Sequence, residues 1–301
     1  GPVIPMDFPD PGLILPNGQP PRYVYSTSSS HGKVPYAISE DFSSWTSVQG
    51  DALPNPGSWV SSSNSAVWAP DLRDVWMSLV PSPRSGLILL SVRYYTAFSA
   101  SDGNHCIGAA TSSTPAGPFT PQSGPILCDA SGGGAIDTSG FEAPGGALYL
   151  VWKVDGNSIG ESTPIFIQPL GADGYTLQGS ATQLITDDTV DGGIVEAPSL
   201  VYWDDYYYLF FSSNSYNTLF YDVSYAIAKS ATGPYTKVQA PDAPLLVSGK
   251  CGTAGPGGAT VINVLDNYVN TVFHSDVNGE DASGGRAMWQ IADLTLNNGV
   301  A

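Results

Sequence analysis

Three carboxylates stand out by their surroundings: Asp10 in Phe8-Pro9-Asp10-Pro11, Asp137 in Ala135-Ile136-Asp137, and Glu196 in Ile194-Val195-Glu196-Ala197-Pro198. Each interrupts a stretch of apolar or small residues at the head of a strand-like run. A carboxyl group so flanked is poorly hydrated if its strand is buried, and desolvation disfavours the charged form. That is what a general acid working near neutral pH needs. Glu196 has the clearest setting, with the turn signal Asp191-Gly192-Gly193 before it and the strand signal Val201-Tyr202-Trp203 after it. Taken alone, such a glutamate reads as a solvated cap on a strand edge. Recurrence argues for chemistry, because an acid is expected at the same point of several repeats. Asp71 in Trp68-Ala69-Pro70-Asp71 would be a fourth member, and reads equally well as a turn cap. Asp10 lies between two prolines, and a backbone stiffened in that way suits a base that must aim a water molecule.

The elements that must position these acids recur five times. A short motif leads into an apolar run at Phe8–Ile14, Trp68–Leu72, Ala135–Phe141, Glu196–Leu200 and Gly255–Val261. The starts lie roughly sixty residues apart, within the range of propeller blades or arrays. A strongly apolar, aromatic strand follows each time: Tyr23-Val24-Tyr25, Leu87–Val92, Leu148–Trp152, Tyr207–Phe211 and Val269–Phe273. Turns separate the two at Pro16-Asn17-Gly18, Pro83-Arg84-Ser85-Gly86, Pro144-Gly145-Gly146, Asp204-Asp205 and Asp266-Asn267, which is hairpin grammar. A third, alternating strand comes next, as in Ile107–Thr111 or Tyr225–Ala228, with room for a fourth. The expectation is an all-β, five-bladed β-propeller forming one catalytic domain over residues 1–301. Its innermost strands would bring Asp10, Asp71, Asp137 and Glu196 to one funnel, and convergent carboxylates in a concave site mark a functional candidate. A β-sandwich with coincidental spacing is the weaker alternative.

Composition limits the partners. Charged residues make up 12% of the chain, with 34 glycines, 25 prolines and 16 tyrosines, a mixture poor in helix formers. The net charge of -17 disfavours nucleic acid and anionic membrane surfaces, whereas a neutral polysaccharide is compatible. No apolar run has the length of a membrane span. Three cysteines occur without Cys-x-x-Cys spacing, so no metal site is expected from them. In an extracellular protein Cys106 and Cys128 could close one loop, leaving Cys251 over.

At these residues the chain resembles glycoside hydrolase family 43, the arabinanase, α-L-arabinofuranosidase and β-xylosidase group. The resemblance rests on Phe8-Pro9-Asp10-Pro11, Trp68-Ala69-Pro70-Asp71, Ala135-Ile136-Asp137 and Val195-Glu196-Ala197-Pro198, in order and at blade spacing. It implies a five-bladed propeller that hydrolyses glycosides with inversion, with Asp10 as general base, Glu196 as general acid and Asp137 as the carboxylate that tunes and orients the acid. The family often carries Gly-Pro-Gly-His in its fifth blade; here Gly255-Pro256-Gly257-Gly258 lacks the histidine, while His274 resembles a later channel histidine. No cofactor is required on this reading, although the resemblance admits a calcium or sodium ion in the channel near His274. Inversion fits the residue chemistry: one carboxylic acid protonates the leaving oxygen, and a second carboxylate about 6.5–9.5 Å away activates water.

Trp68 and Phe141 adjoin the motifs and are expected as platforms for sugar rings. Arg286 is expected to bind a substrate hydroxyl or Asp10, with a surface arginine as the alternative, and His274 reads as a substrate contact or a satisfied interior residue. The strands containing Lys153 and Arg93 each hold one cation that the sequence does not place. The invertase and levansucrase group ranks below family 43, because its Arg-Asp-Pro and Glu-Cys contexts are absent here. A non-catalytic sugar-binding propeller would be expected to have lost one of the three acids. Family β-xylosidases often add a β-sandwich, which is not expected after the fifth blade here, and this leans towards arabinan. Segments Leu53–Val67 and Thr96–Cys106 are expected to build a rim that makes a pocket. The expected protein is a secreted, extracellular monomer, an exo-acting α-L-arabinofuranosidase on 1,5-linked arabinan, with endo-arabinanase and then β-xylosidase behind it.

Overall fold

The computed structural model describes residues 1–78, 87–264, 269–279 and 284–301. The turns expected at 83–86 and 266–267 lie outside them. Five antiparallel sheets follow one another along the chain. The first contains β1 (Gly12–Ile14), β2 (Arg22–Tyr25), β3 (Tyr36–Ser39) and β4 (Thr46–Ser47). The second contains β5 (Val67–Ser78), β6 (Leu87–Phe98), β7 (His105–Ser112) and β8 (Thr120–Pro121), with β9 (Leu127–Cys128) paired to β7. The third contains β10 (Ala135–Glu142), β11 (Leu148–Val154), β12 (Ile165–Pro169) and β13 (Thr182–Ile185). The fourth contains β14 (Val195–Trp203), β15 (Tyr206–Ser213), β16 (Asp222–Ala228) and β17 (Thr236–Lys237). The fifth contains β18 (Gly257–Asn263), β19 (Val269–Asp276) and β20 (Arg286–Leu294). The first strands of the sheets contact one another in a ring, β1 to β5 to β10 to β14 to β18 and back to β1. The molecule is a five-bladed β-propeller, as its repeats predict.

The second strand of each blade has neighbouring blades on both faces, so apolar residues run on without alternation. In β15, Tyr208, Leu209, Phe210 and Phe211 are all buried. Odd and even side chains enter different inter-blade cores: Leu209 and Phe211 pack with Phe141, Val151 and Val195, whereas Tyr208 and Phe210 pack with Val261 and Phe273. The two-residue turn between β14 and β15 has Asp204 at φ 49° and Asp205 at φ 62°, the left-handed pair a tight hairpin requires.

Blade five is completed by the N-terminus. Ile4 N–H donates to the carbonyl of Met288 in β20 at 3.3 Å, Met288 N–H donates back to Ile4 at 3.1 Å, and Phe8 N–H reaches the Arg286 carbonyl at 2.7 Å. The ring thus closes with residues 3–8 along the edge of the last blade, immediately before Asp10.

Four of the five inner strands carry the same irregularity. Their register against the second strand shifts between Trp68 and Asp71, Ile136 and Ser139, Glu196 and Ser199, and Gly257 and Thr260. A left-handed residue sits in each shift: Ala69 (φ 41°), Asp137 (φ 52°), Ala197 (φ 51°) and Gly258 (φ 59°), with Asp10 (φ 50°) at the matching place before β1. These are β-bulges, which re-aim side chains next to functional sites.

Candidate active site

The bulge corrects one expectation. The acids do not occupy one point of the repeat but three. Asp10 and Asp137 are the left-handed residues themselves, Glu196 is one residue earlier, and Asp71 is two residues later. One step along a strand turns a side chain to the opposite face, and the bulge adds its own rotation. Asp10, Asp137 and Glu196 accordingly line one cavity of about 780 Å³ at a mouth of the channel. Asp71 does not line that cavity; it helps to line a second one, of about 450 Å³, with Leu13, Gly140, Ser199 and Thr260 from the other inner strands, and a small one of about 40 Å³ that Asp10 and Asp137 also reach. Asp71 Oδ2 accepts the Gly140 N–H at 2.8 Å, and burial pushes its carboxyl up to about 6. Phe141 is also outside the acidic cavity; it is buried against Tyr149 and Tyr207, at ring distances of 6.3 and 5.9 Å. Adjoining a motif brought Phe141 to notice, and the structure makes it a core residue.

Asp10 is held from three sides. The Thr27 hydroxyl donates to its Oδ2 at 2.6 Å, Arg286 Nη1 donates to Oδ1 at 3.4 Å, and the Asp10 N–H donates to His274 Nδ1 at 3.1 Å. Burial by itself would raise the carboxyl, but the Arg286 charge and the His274 and Thr27 hydrogen bonds outweigh it, holding Asp10 well below the usual carboxylate range. His274 is fully buried, with its ring stacked on Tyr221 at 5.7 Å. It supports Asp10 from behind and does not line the cavity. Arg286 does line it, with its guanidinium 5.0 Å above the Tyr216 ring.

Glu196 is gripped at both oxygens. Lys153 Nζ lies 2.8 Å from Oε2, and the Tyr221 hydroxyl donates to Oε1 at 2.7 Å. Asp137 accepts the Ala197 N–H at 3.1 Å, one residue beyond Glu196, and its own N–H donates to the Thr96 hydroxyl at 3.2 Å. Burial first, and the Glu196 charge second, push Asp137 up to about 7. Asp10 and Asp137 are thus shifted in opposite directions although both are carboxylates on left-handed residues.

A channel ion beside His274 does not suit the side chains there. His274 Nδ1 lies 3.1 Å from the Asp10 nitrogen and 3.3 Å from Asp10 Oδ1, and its Nε2 lies 3.5 Å from Arg286 Nη1. Burial and the nearby Arg286 charge lower the imidazole's basicity. A ring with one nitrogen engaged by Asp10 and the other set against a guanidinium is a poor cation ligand. Gly258 stands where the family often has histidine, and a Cβ there would come within 2.7 Å of the His274 ring and 3.1 Å of Asp10 Oδ1. The His274 ring fills that space. Among the described residues, the three-membered group of potential metal ligands is Asp102, Cys106 and Cys128, and the two cysteines are joined as a disulfide.

Trp68 walls the cavity from blade two, its ring backed by His105 at 3.8 Å, and Phe98 meets His105 edge-on at 5.3 Å. The segment Thr96–Cys106 does form part of the rim, through Phe98, Asp102 and His105, and Cys106 is tied to Cys128. The segment Leu53–Val67 does not. Its Trp59 is buried with the ring against Tyr95 at 5.9 Å, and Leu53 and Val60 join the same core. The rest of the rim comes from Asn157–Ile159 in blade three and Tyr216 in blade four. Lys153, Tyr221, Thr27 and His105 were not singled out as site residues by the sequence. Lys153 alone left a signal there, as a cation in the otherwise apolar Leu148–Val154. Arg93, the other such cation, lies away from the site, with its guanidinium 3.8 Å from the Tyr25 ring centroid and 4.4 Å from that of Phe119.

An acid–base set on three inner strands of a five-bladed propeller is the arrangement of a glycosidase. The sequence matches the family model for glycosyl hydrolases family 43 over residues 1–292, and the chain belongs to that family. A curated relative, the β-D-galactofuranosidase xynD of Aspergillus niger, is 28% identical over 251 residues, covering 78% of this chain. The match spans 65% of that relative's length. Among solved structures, a thermostable family-43 glycoside hydrolase superposes with a TM-score of 0.79 at 23% identity, covering 98% of this chain and 91% of the other. An endo-arabinase from Bacteroides thetaiotaomicron gives a TM-score of 0.77 at 18% identity, over 100% of this chain and 98% of that one. At these identities the two structures speak for the fold.

Proposed function

We propose that the chain is a secreted, inverting glycoside hydrolase of plant cell-wall polysaccharide, an exo-acting α-L-arabinofuranosidase that trims 1,5-linked arabinan. The observation that carries this reading is the convergence of Asp10, Asp137 and Glu196 on one walled cavity. Asp10, kept ionised by Arg286 and His274, takes a proton from a water molecule as that water attacks the anomeric carbon. Glu196 gives its proton to the glycosidic oxygen as the bond to the anomeric carbon breaks, and the electron pair leaves with that oxygen. The products are a sugar of inverted configuration and a shortened chain bearing a new hydroxyl. Asp137 orients the Glu196 backbone in β14 through the Ala197 N–H and holds a proton next to it. Trp68, stiffened by His105, offers the ring face on which a sugar stacks.

Walls from blades two, three and four favour a pocket that admits a chain end over an open cleft. The Cys106–Cys128 disulfide supports an oxidising, extracellular setting. A second reading, hydrolysis of β-D-galactofuranosides, is favoured by the Aspergillus niger relative. The two sugars share a ring configuration and differ in the arm at C4, so one pocket could be built for either. Chromatography of the earliest products from linear arabinan tests the proposal, together with the rates on aryl α-L-arabinofuranoside and aryl β-D-galactofuranoside. Arabinose as sole early product supports it. A ladder of oligomers means endo-arabinanase action. A strong preference for the galactofuranoside moves the substrate to the second reading, and rapid cleavage of xylobiose with no release from arabinan overturns both.

A further inference from the structure

Lys153 belongs to no part of the mechanism above, yet it is among the most deeply buried cations in the chain. It lies in β11, opposite Ile136 of the inner strand, and its side chain is 1% exposed. An unpaired ammonium in that position is strongly disfavoured, so its partners define its purpose. Glu196 on β14 faces it at 2.8 Å and Asp155, just beyond β11, at 3.9 Å. Asp137 on β10 also acts on its charge. Asp10 and Arg286 line the same cavity, His274 lies behind Asp10, and the Tyr221 hydroxyl holds the other oxygen of Glu196.

We propose that Lys153 is the positioning residue that governs the proton shared by Glu196 and Asp137. Its ammonium stabilises the carboxylate left on Glu196 when the proton is given up, and thereby strengthens the acid. The same charge sets the pH at which the pair loses its proton and, with it, the alkaline limit of activity. Burial and the Glu196 charge already raise Asp137 to about 7. The proposal rests on the glycosidase reading of the site, but its first test does not need activity.

In protein labelled with carbon-13 at the side-chain carboxyls, the resonances of the pair are assigned by their loss in Glu196→Gln and Asp137→Asn. Lys153→Met removes the charge and keeps the bulk. Lys153→Gln removes the charge and keeps a donor to Glu196, which guards against failure of the first variant to fold. Lys153→Arg keeps the charge. In both neutral variants the pair should release its proton about one pH unit or more higher than in the parent. Lys153→Arg should stay close to the parent. On a natural oligosaccharide, the basic limb of kcat/KM should move by the same amount, and kcat at the optimum should fall about tenfold or more, with a smaller fall on an aryl glycoside. A folded Lys153→Met or Lys153→Gln protein whose carboxyl titration matches the parent would overturn the proposal and leave Lys153 a structural cation. Absence of hydrolysis of any glycoside by the parent would instead count against the proposed function, and the titration would still decide the role of Lys153.

Discussion

Asp10, Glu196 and Asp137 carry the same chemical group into three surroundings. Asp10 has a guanidinium, a hydroxyl and an imidazole; Glu196 has an ammonium and a phenol; Asp137 has backbone amide contacts and a negative neighbour. Environment therefore divides the roles, as it does for other acid–base carboxyl pairs. Glu196→Gln is expected to lower turnover of natural oligosaccharides by about a thousandfold or more, and of aryl glycosides with good leaving groups far less, since these need little protonation. Equal losses on both would argue against an acid at this position. Asp137 also affects stability. Its carboxyl keeps a proton up to about 7 in the folded protein, against an ordinary value of 3.8. Between those values the unfolded chain binds fewer protons than the native state, so this group's contribution to stability falls as pH rises, and the full penalty is present above 7. Asp137→Asn removes the penalty. The variant should gain on the parent from pH 4 to pH 7.5 by an amount on the order of a few kcal/mol, visible as a rising difference in Tm. A Tm difference that is the same at both pH values would contradict the assignment.

At the scale of the element, the bulge in four of the five inner strands converts a repeat into a site. The repeated motif is legible in the sequence, and so is the fact that acids cluster around it. The direction of each acid is not, because an offset of one or two residues decides which mouth of the channel a side chain faces. Asp71 illustrates this: it follows the same Ala-Pro pair that follows Glu196, yet it serves the other mouth and bonds Gly140. The bulge also explains Gly258. At φ 59° a β-carbon costs about 1 kcal/mol in backbone strain, before any contact with His274 and Asp10 is counted. Gly258→Ala should therefore destabilise the protein by roughly 1–3 kcal/mol and lower kcat by displacing Asp10. Denaturant unfolding and kinetics measure the two effects, and full activity in the variant would show that the His274–Asp10 arrangement is not needed.

Across the whole molecule, blades contributed by distant parts of the sequence hold the acids, so closure of the ring is a condition of activity. Ile4 is buried against the first and last blades while its backbone pairs with Met288. Ile4→Ala should cost about 2–4 kcal/mol by the loss of buried methylenes. Because Asp10 follows a few residues later, activity should fall below its normal level at temperatures where the far-UV spectrum is still native. If activity and global structure were lost together, closure would not be a separately weak point. The separation of acid and base onto different blades also sets the stereochemistry. Proton NMR of the first sugar released should show the anomer opposite to that of the substrate, and retention would exclude the water-mediated, two-carboxylate mechanism.

The sequence by itself determined the architecture: five copies of a three-strand pattern, aromatic second strands and paired turn residues leave few alternatives to a propeller. It also determined which acids are unusual, because apolar flanks and a repeated context are local properties. The tertiary structure decided everything that depends on neighbours far along the chain. It turned Asp71 and Phe141 away from Asp10 and Glu196, folded Trp59 into the core, and set His274 behind Asp10. It also brought Lys153 and Tyr221 to Glu196 from 43 and 25 residues away. Such pairings arise from the rotation between blades and the bulges in the inner strands. Neither appears in the spacing of residues within one repeat.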